Sequence, residues 1–289
     1  MEENIKSIMV ALDQRDLQLA LYLIQQELKS RGYLGKYSVS IANRLMGVFP
    51  WDIISKLLPS GTCFFETSGW VNSINRNAPL DVSDRPLPWL NYSCIDFIGN
   101  FLGQRSANIF EWGSGYSTLF FQEHSSKVRS CEDNKEWFDT VYNLASNAKN
   151  LELVYRPTKA EYLGEIAGSF DLIVVDGSYR SECLKLAPNF IKSDGLILLD
   201  NSDDANLDDS ILDLDRRGFY SITFTGLIPS YAYKNVSTVF FRDPMVLRSE
   251  KGRVPSSTAY SSGITCFQAM EKLRCGSDMN RTGEDKIQS

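Results

Sequence analysis

The chain has 289 residues, 43% of them hydrophobic and 23% charged, which supplies enough apolar material for one large core and excludes wholesale disorder. A formal net charge of -6 and a pI near 5.0 weigh against a broad phosphate-binding face, so nucleic acid is not an expected partner. No apolar run approaches the roughly 20 residues of a membrane span, and Met1-Glu2-Glu3-Asn4 has none of the basic and apolar character of a secretory leader. No membrane span is expected, and the expected location is the cytoplasm.

Taken in chain order, Ile8, Leu12, Leu19, Leu23 and Leu28 recur at helical spacing with Gly32 and Gly35 behind them, which predicts an N-terminal helix. A second helical stretch around Ser40 to Leu58 stops at Pro59-Ser60-Gly61, a turn signature. Asn72 to Leu90 contains Pro79, Pro86 and Pro88. Proline removes amide donors and biases the residue before it towards extended backbone, so the stretch reads as an irregular linker. Residues 1–87 are thus expected to be a helical extension and linker.

Tyr92 to Leu102 reads as a helix leading into alternating strands and helices, the pattern a parallel sheet requires. The expected strands are Asn108 to Trp112, Val128 to Glu132, Leu151 to Tyr155, Phe170 to Asp176 and Gly195 to Asp200. Crossover helices are expected at Ser117 to Glu123, Lys135 to Ala148 and Ser181 to Ile191. Tyr220 to Thr225 and Ser237 to Arg242 would make a closing antiparallel pair. The expectation is an α/β fold, a seven-stranded mostly parallel sheet with helices on both faces, over residues 88–245. A polar, partly disordered tail, 246–289, should follow, with one amphipathic stretch at Ile264 to Leu273.

Six scattered cysteines without a C-x-x-C pair, and a single histidine, leave little for zinc and read as reduced, mostly buried thiols. Three glycosylation sequons, at Asn91, Asn235 and Asn280, are discounted because such short patterns recur by chance.

The chemistry concentrates in Ile109-Phe110-Glu111-Trp112-Gly113-Ser114-Gly115-Tyr116-Ser117-Thr118, a strand running through a glycine turn into a helix. Glycines let the backbone approach a ligand, and a helix N-terminus offers unpaired amides, so a nucleotide-like ligand fits. Glu132, 21 positions after Glu111, ends the next expected strand, where an acid can accept hydrogen bonds from ribose hydroxyls. The third glycine of a dinucleotide loop is replaced by Thr118, which disfavours NAD.

The form E-x-G-x-G-x-S resembles the first motif of class I S-adenosylmethionine-dependent methyltransferases, a Rossmann-like family. Phe170 to Gly177 and Asp194 to Asn201 resemble that family's fourth and fifth strands. Pro88-Trp89-Leu90-Asn91-Tyr92 looks like the entry to a poorly characterised subgroup. The resemblance covers about Pro88 to Arg242. It implies S-adenosyl-L-methionine as cofactor, held by Glu111, Gly113, Ser114, Gly115, Ser117 and Glu132, with Asp176 bordering it. A bulky residue at Gly113, or alanine at Glu132, is then expected to weaken cofactor binding while leaving the fold intact.

Asp176, Asp200 and Asn201 fall beyond the carboxyl ends of the strands, where open α/β sheets bind ligands. Three oxygen donors suggest a hard cation, and catechol-type O-methyltransferases place Asp, Asp and Asn at matching positions around magnesium. The resemblance therefore makes Mg2+ a candidate at these residues; the alternative is that Asp200 and Asn201 cap a turn. Tyr179 stands where the catechol enzymes keep a lysine base. Asp176 is the first candidate for the proton acceptor, with Tyr179 and Arg180 placed to orient an acceptor or bind its anionic group.

His124 follows the first crossover helix and reads as a surface residue. Trp89, Tyr92, Trp112 and Tyr116 either wall a ligand or pack the core. The run Asp203, Asp204, Asp208 and Asp209 lacks calcium-loop spacing and reads as a solvated loop and helix start. The Tyr231 to Asn235 loop is expected to help shape the acceptor site. The leading expectation is an enzyme that methylates a small-molecule or glycan hydroxyl, with self-association left open. The alternatives are a methyltransferase-like binding module without turnover and an NAD-dependent oxidoreductase.

Overall fold

A computed structural model describes residues 63–145, 148–231 and 233–247, together with Gly263, Ile264 and Gln268. The two N-terminal helices expected before residue 60, most of the tail, and Cys266 and Cys275 lie outside the described residues.

Two short helices, α1 (Phe64–Thr67) and α2 (Trp70–Arg76), precede α3 (Tyr92–Leu102). The remainder runs β1 (Asn108–Trp112), α4 (Tyr116–His124), β2 (Lys127–Glu132), α5 (Lys135–Leu144), β3 (Leu151–Tyr155), α6 (Lys159–Gly164), β4 (Phe170–Val175), α7 (Arg180–Leu186), β5 (Ile191–Asp200), α8 (Asp208–Arg216), β6 (Tyr220–Leu227) and β7 (Lys234–Phe241). The seven strands form one sheet in the order β3-β2-β1-β4-β5-β7-β6. The first five are parallel, and β7 enters antiparallel between β5 and β6. This is the Rossmann-like, seven-stranded form that the resemblance implies.

Both faces of the sheet are covered, which is why its central strands read as continuous apolar runs. Alternation along β1 sends Ile109 to one core with Leu172, Val174, Leu196 and Leu198 under α3 and α4. Phe110 and Trp112 go to the other, with Ile173, Val175, Ile197, Leu199 and the α7 residues Cys183 and Leu184. Trp70, Ile74 and Leu87 join the first core. The stretch expected to be irregular linker thus opens in α2 and is packed down. Its polar half is ordered by Asp81, whose carboxylate accepts from the amides of Ser83 and Arg85 and from the Arg85 side chain.

Caps explain several boundaries. Asn91 accepts from the Cys94 amide at 3.0 Å to start α3, and its amide group donates to the Phe224 carbonyl of β6 at 3.1 Å. A side-chain cap of this kind contributes about 1 kcal/mol. Thr158 and Glu161 form a reciprocal capping box that starts α6, a helix absent from the sequence expectation although T-x-x-E is its signature. The expected helix to Ile191 ends earlier, because Pro188 turns the chain through a 3-10 segment and β5 begins at Ile191. Asp208 and Asp209 lie in the first turn of α8, where negative charge favours the helix dipole. Cys94, Cys131 and Cys183 are buried and unpaired, and Cys63 is half-buried. Burial pushes the three inner thiols upward, which keeps them protonated and unreactive. No helix among the described residues is long and apolar enough to cross a membrane.

Candidate functional site

The strand order reverses between β1 and β4, and the loops leaving their carboxyl ends open a cleft of about 840 Å3. This is where open α/β sheets bind ligands. The glycine loop after β1 forms one wall, and the turns after β4 and β5 form the opposite one.

Gly113 has φ +94, and a Cβ there would lie 2.4 Å from the Gly177 Cα and 2.9 Å from the Asp176 carbonyl carbon. The loops after β1 and β4 therefore touch backbone to backbone. This corrects the expectation that a bulky residue at 113 spares the fold. Gly115 is different: its φ of -179 is ordinary extended backbone, and a Cβ would make only van der Waals contacts with Ser117 and Trp137.

Glu111 lies beneath the loop instead of in the cleft. It is fully buried, on the β1 face covered by α4, and accepts hydrogen bonds from Ser117 at 2.6 Å, from Thr118, and from Ser130 at 2.7 Å. Ser130 is its register partner on β2. Thr118 in turn accepts from the Gly115 amide at 2.9 Å, so Glu111 braces the loop through a hydroxyl. Thr118, read in the sequence only as a missing glycine, is the residue that completes this brace.

Burial pushes the Glu111 carboxyl from 4.5 up to about 7, against the three hydroxyl hydrogen bonds and with the Glu132 charge adding to the rise. A carboxyl raised in the folded state binds protons that the unfolded chain releases, so this group's contribution is greatest below pH 4.5 and is lost as pH rises to 7. Between pH 5 and pH 8 the stability of the wild type relative to Glu111→Gln is expected to fall by about 2–3 kcal/mol. Urea unfolding of both proteins at the two pH values checks this, and a constant difference would contradict it.

Glu132 ends β2, lines the cleft and is buried. One oxygen accepts from the amides of Asp133 and Asn134 at 3.1 and 2.9 Å. The other accepts from the Ser114 amide and hydroxyl at 3.0 and 3.2 Å. Burial raises its carboxyl, the hydrogen bonds from Asn134 and Ser114 oppose the rise, and the Asp133 charge adds to it. Trp137, on α5, donates from its indole to the Ser114 carbonyl at 2.6 Å and stacks on Trp89 with centroids 6.4 Å apart.

Of the aromatic residues singled out in the sequence, Trp89 and Tyr116 line the cleft, whereas Tyr92 and Trp112 are core residues. The Trp112 indole donates to the Tyr162 carbonyl. Trp137 was missed because its helical position gives no local signal of facing a cleft. Tyr231, Tyr233, Lys234 and Asn235 do line it.

On the opposite wall, burial and then the Asp200 charge hold the Asp176 carboxyl well above its usual range, with Arg180 opposing. Arg180 donates to the Asp176 carbonyl and carboxylate at 2.8 and 3.0 Å and to the Asn201 side-chain oxygen at 2.8 Å. Asp200 accepts from Asn235 at 3.1 Å and from Ser237 at 2.8 Å. Magnesium does not fit this arrangement. Asn201 and Asp176 already face a guanidinium, and one Asp200 oxygen is taken by two donors.

Tyr179 does not reach the cleft. At φ 54 its ring sits edge-on to the buried Tyr162, and Lys159 lies over it. Asp176, Asp200 and Asn201 converge, and Tyr179 does not join them. His124 is not among the residues that line the cleft; it stacks on Phe120 with its Nδ1 2.8 Å from that residue's carbonyl oxygen.

The fold and site thus define a Rossmann-like α/β protein with a ligand cleft at its topological switch. No protein-family profile matches the chain, and no curated protein does. Among solved structures, the chain is similar to the O-methyltransferase TomG from Streptomyces achromogenes, in complex with SAM, at 13% identity over 66% of this chain and 94% of that one, with TM-score 0.44. It is similar to a spermidine synthase from Thermotoga maritima at 14% identity, 62% and 68% coverage and TM-score 0.44. It is similar also to an rRNA methylase from Streptococcus thermophilus at 12% identity, 50% and 93% coverage and TM-score 0.41. These likenesses are partial, and the reading of the site rests on its own residues.

Proposed function

We propose that this chain is an S-adenosylmethionine-dependent methyltransferase that methylates a small-molecule or glycan hydroxyl. The observation that carries the reading is the cleft itself, with a braced glycine loop and Glu132 on one wall and the Asp176–Asp200 corner on the other. The residues fit the cofactor. The loop backbone and the N-terminus of α4 face the cleft at Ser114 to Ser117, and ribose hydroxyls would donate to Glu132, displacing only the rotatable Ser114 hydroxyl from its set of partners. Trp137 and Trp89 offer flat faces to the adenine.

When bound, the cofactor supplies an electrophilic methyl group. Asp176 takes the acceptor's proton; it lines the cleft, and burial together with the Asp200 charge makes it more basic than an ordinary carboxylate. A polymer of phosphates is a poor acceptor here: Glu132, Asp133, Asp176, Asp200 and Asp203 outnumber Arg180 and Lys234 around the cleft.

Calorimetric titration with S-adenosylhomocysteine is expected to show saturable binding, with NAD inert as the control. Glu132→Gln is expected to weaken that binding about 10- to 100-fold, the effect of losing charge-assisted hydrogen bonds. Preference for NAD, or unaltered affinity in the variant, would sink the cofactor reading. Turnover of the cofactor with hydroxylated acceptors then separates an enzyme from a binding module.

A further inference from the structure

Three turns meet at the acceptor corner of the cleft, and one positive charge joins them. The turn after β4 brings Asp176, the first turn of α7 brings Arg180 four residues later, and the turn after β5 brings Asp200 and Asn201. Arg180 spans the group, with one terminal nitrogen on Asn201 and the other on both the backbone and the carboxylate of Asp176. The Asp176 carboxyl lies near the Asp200 charge, which adds to the rise that burial imposes on it, and Asn235 and Ser237 of β7 fix Asp200 from behind. The arginine side chain is about one-quarter exposed, so its charge is partly withdrawn from water.

Resting on the methyltransferase reading above, we propose that Arg180 is the built-in cation of this corner, a positioning residue that holds Asp176 and Asn201 where a divalent metal ion would otherwise stand. A guanidinium is always charged and presents a rigid fork of donors, so it fixes oxygens at set distances as a metal does. A metal must be recruited from solution and needs at least six oxygen ligands. Here the Asn201 side-chain oxygen, one Asp176 oxygen and one Asp200 oxygen are all already engaged. The cation is supplied by the same helix turn that follows the proton acceptor, so its presence depends on neither metal supply nor pH. The acceptor would then be oriented by Asp176 held in one rotamer.

The test is Mn2+ titration of the full chain, followed by water-proton relaxation. Wild-type protein is expected to show no saturable site that Asp200→Asn removes. Arg180→Ala is expected to acquire one, at least about tenfold tighter than the wild-type background, and to lose it again when Asp200→Asn is added. Arg180→Lys, which restores a positive charge, is expected to exclude Mn2+ as the wild type does. A saturable wild-type site abolished by Asp200→Asn, or failure of Arg180→Ala to gain one, overturns the proposal. S-adenosylhomocysteine affinity of the wild type reports on the cofactor reading, and a thermal melt of each variant reports separately on whether it remains folded.

Discussion

Leucine at position 115 is expected to abolish cofactor binding, by at least about 100-fold, or some 3 kcal/mol, while changing stability by only about 1 kcal/mol. The reason is the contrast between the two loop glycines. Gly115 has extended backbone that any residue adopts, and the first side-chain carbon would rest at 3.7 Å from Ser117 and 3.9 Å from Trp137. The rest of the leucine would stand in the cleft, beside the helix amides that the cofactor needs. Calorimetry with S-adenosylhomocysteine and a thermal melt of the same sample give the answer. Retained affinity would place the ligand elsewhere in the cleft.

Gly113→Ala is expected to act on the other axis and cost about 3–5 kcal/mol of folding free energy. The left-handed backbone and the overlap with Gly177 both contribute. Set against a typical total of about 5–15 kcal/mol, that loss should shift the urea midpoint far to lower denaturant. A variant as stable as the wild type would show that the loops after β1 and β4 can separate.

The outline of the sheet was legible in the sequence because its central strands are buried on both faces and its strands are flanked by turn residues. β1 and β3 appear at their expected limits, and the antiparallel closing pair is where apolar runs suggested it. What stayed hidden depended on contacts distant in sequence. Glu111 and Glu132 carry the same charge in similar motifs, yet one lies in the core with three hydroxyls and the other in the cleft wall. The pairing of Glu111 with Ser130 across β1 and β2, together with Ser117 and Thr118 from α4, separates them. The engagement of the candidate metal triad by other partners stayed hidden for a similar reason. Asp176, Asp200 and Asn201 are as close as expected, but spacing alone does not reveal that Arg180, one turn onward, points its charge into their midst. Tyr179 was lost to a single left-handed residue, which rotates its side chain away.

The seam between Gly113 and Gly177 also constrains how such a chain can vary. A Cβ at Gly113 meets the Gly177 backbone, and a Cβ at Gly177 meets the Gly113 backbone and the Tyr162 hydroxyl. Neither position can accept a larger residue first, so the pair forms a lock with no single-step exit. Tyr231, Tyr233 and Lys234 on the rim are free of that lock. Substitutions that retune the acceptor should accumulate on the rim, while the span between donor and acceptor walls stays set by main chain against main chain.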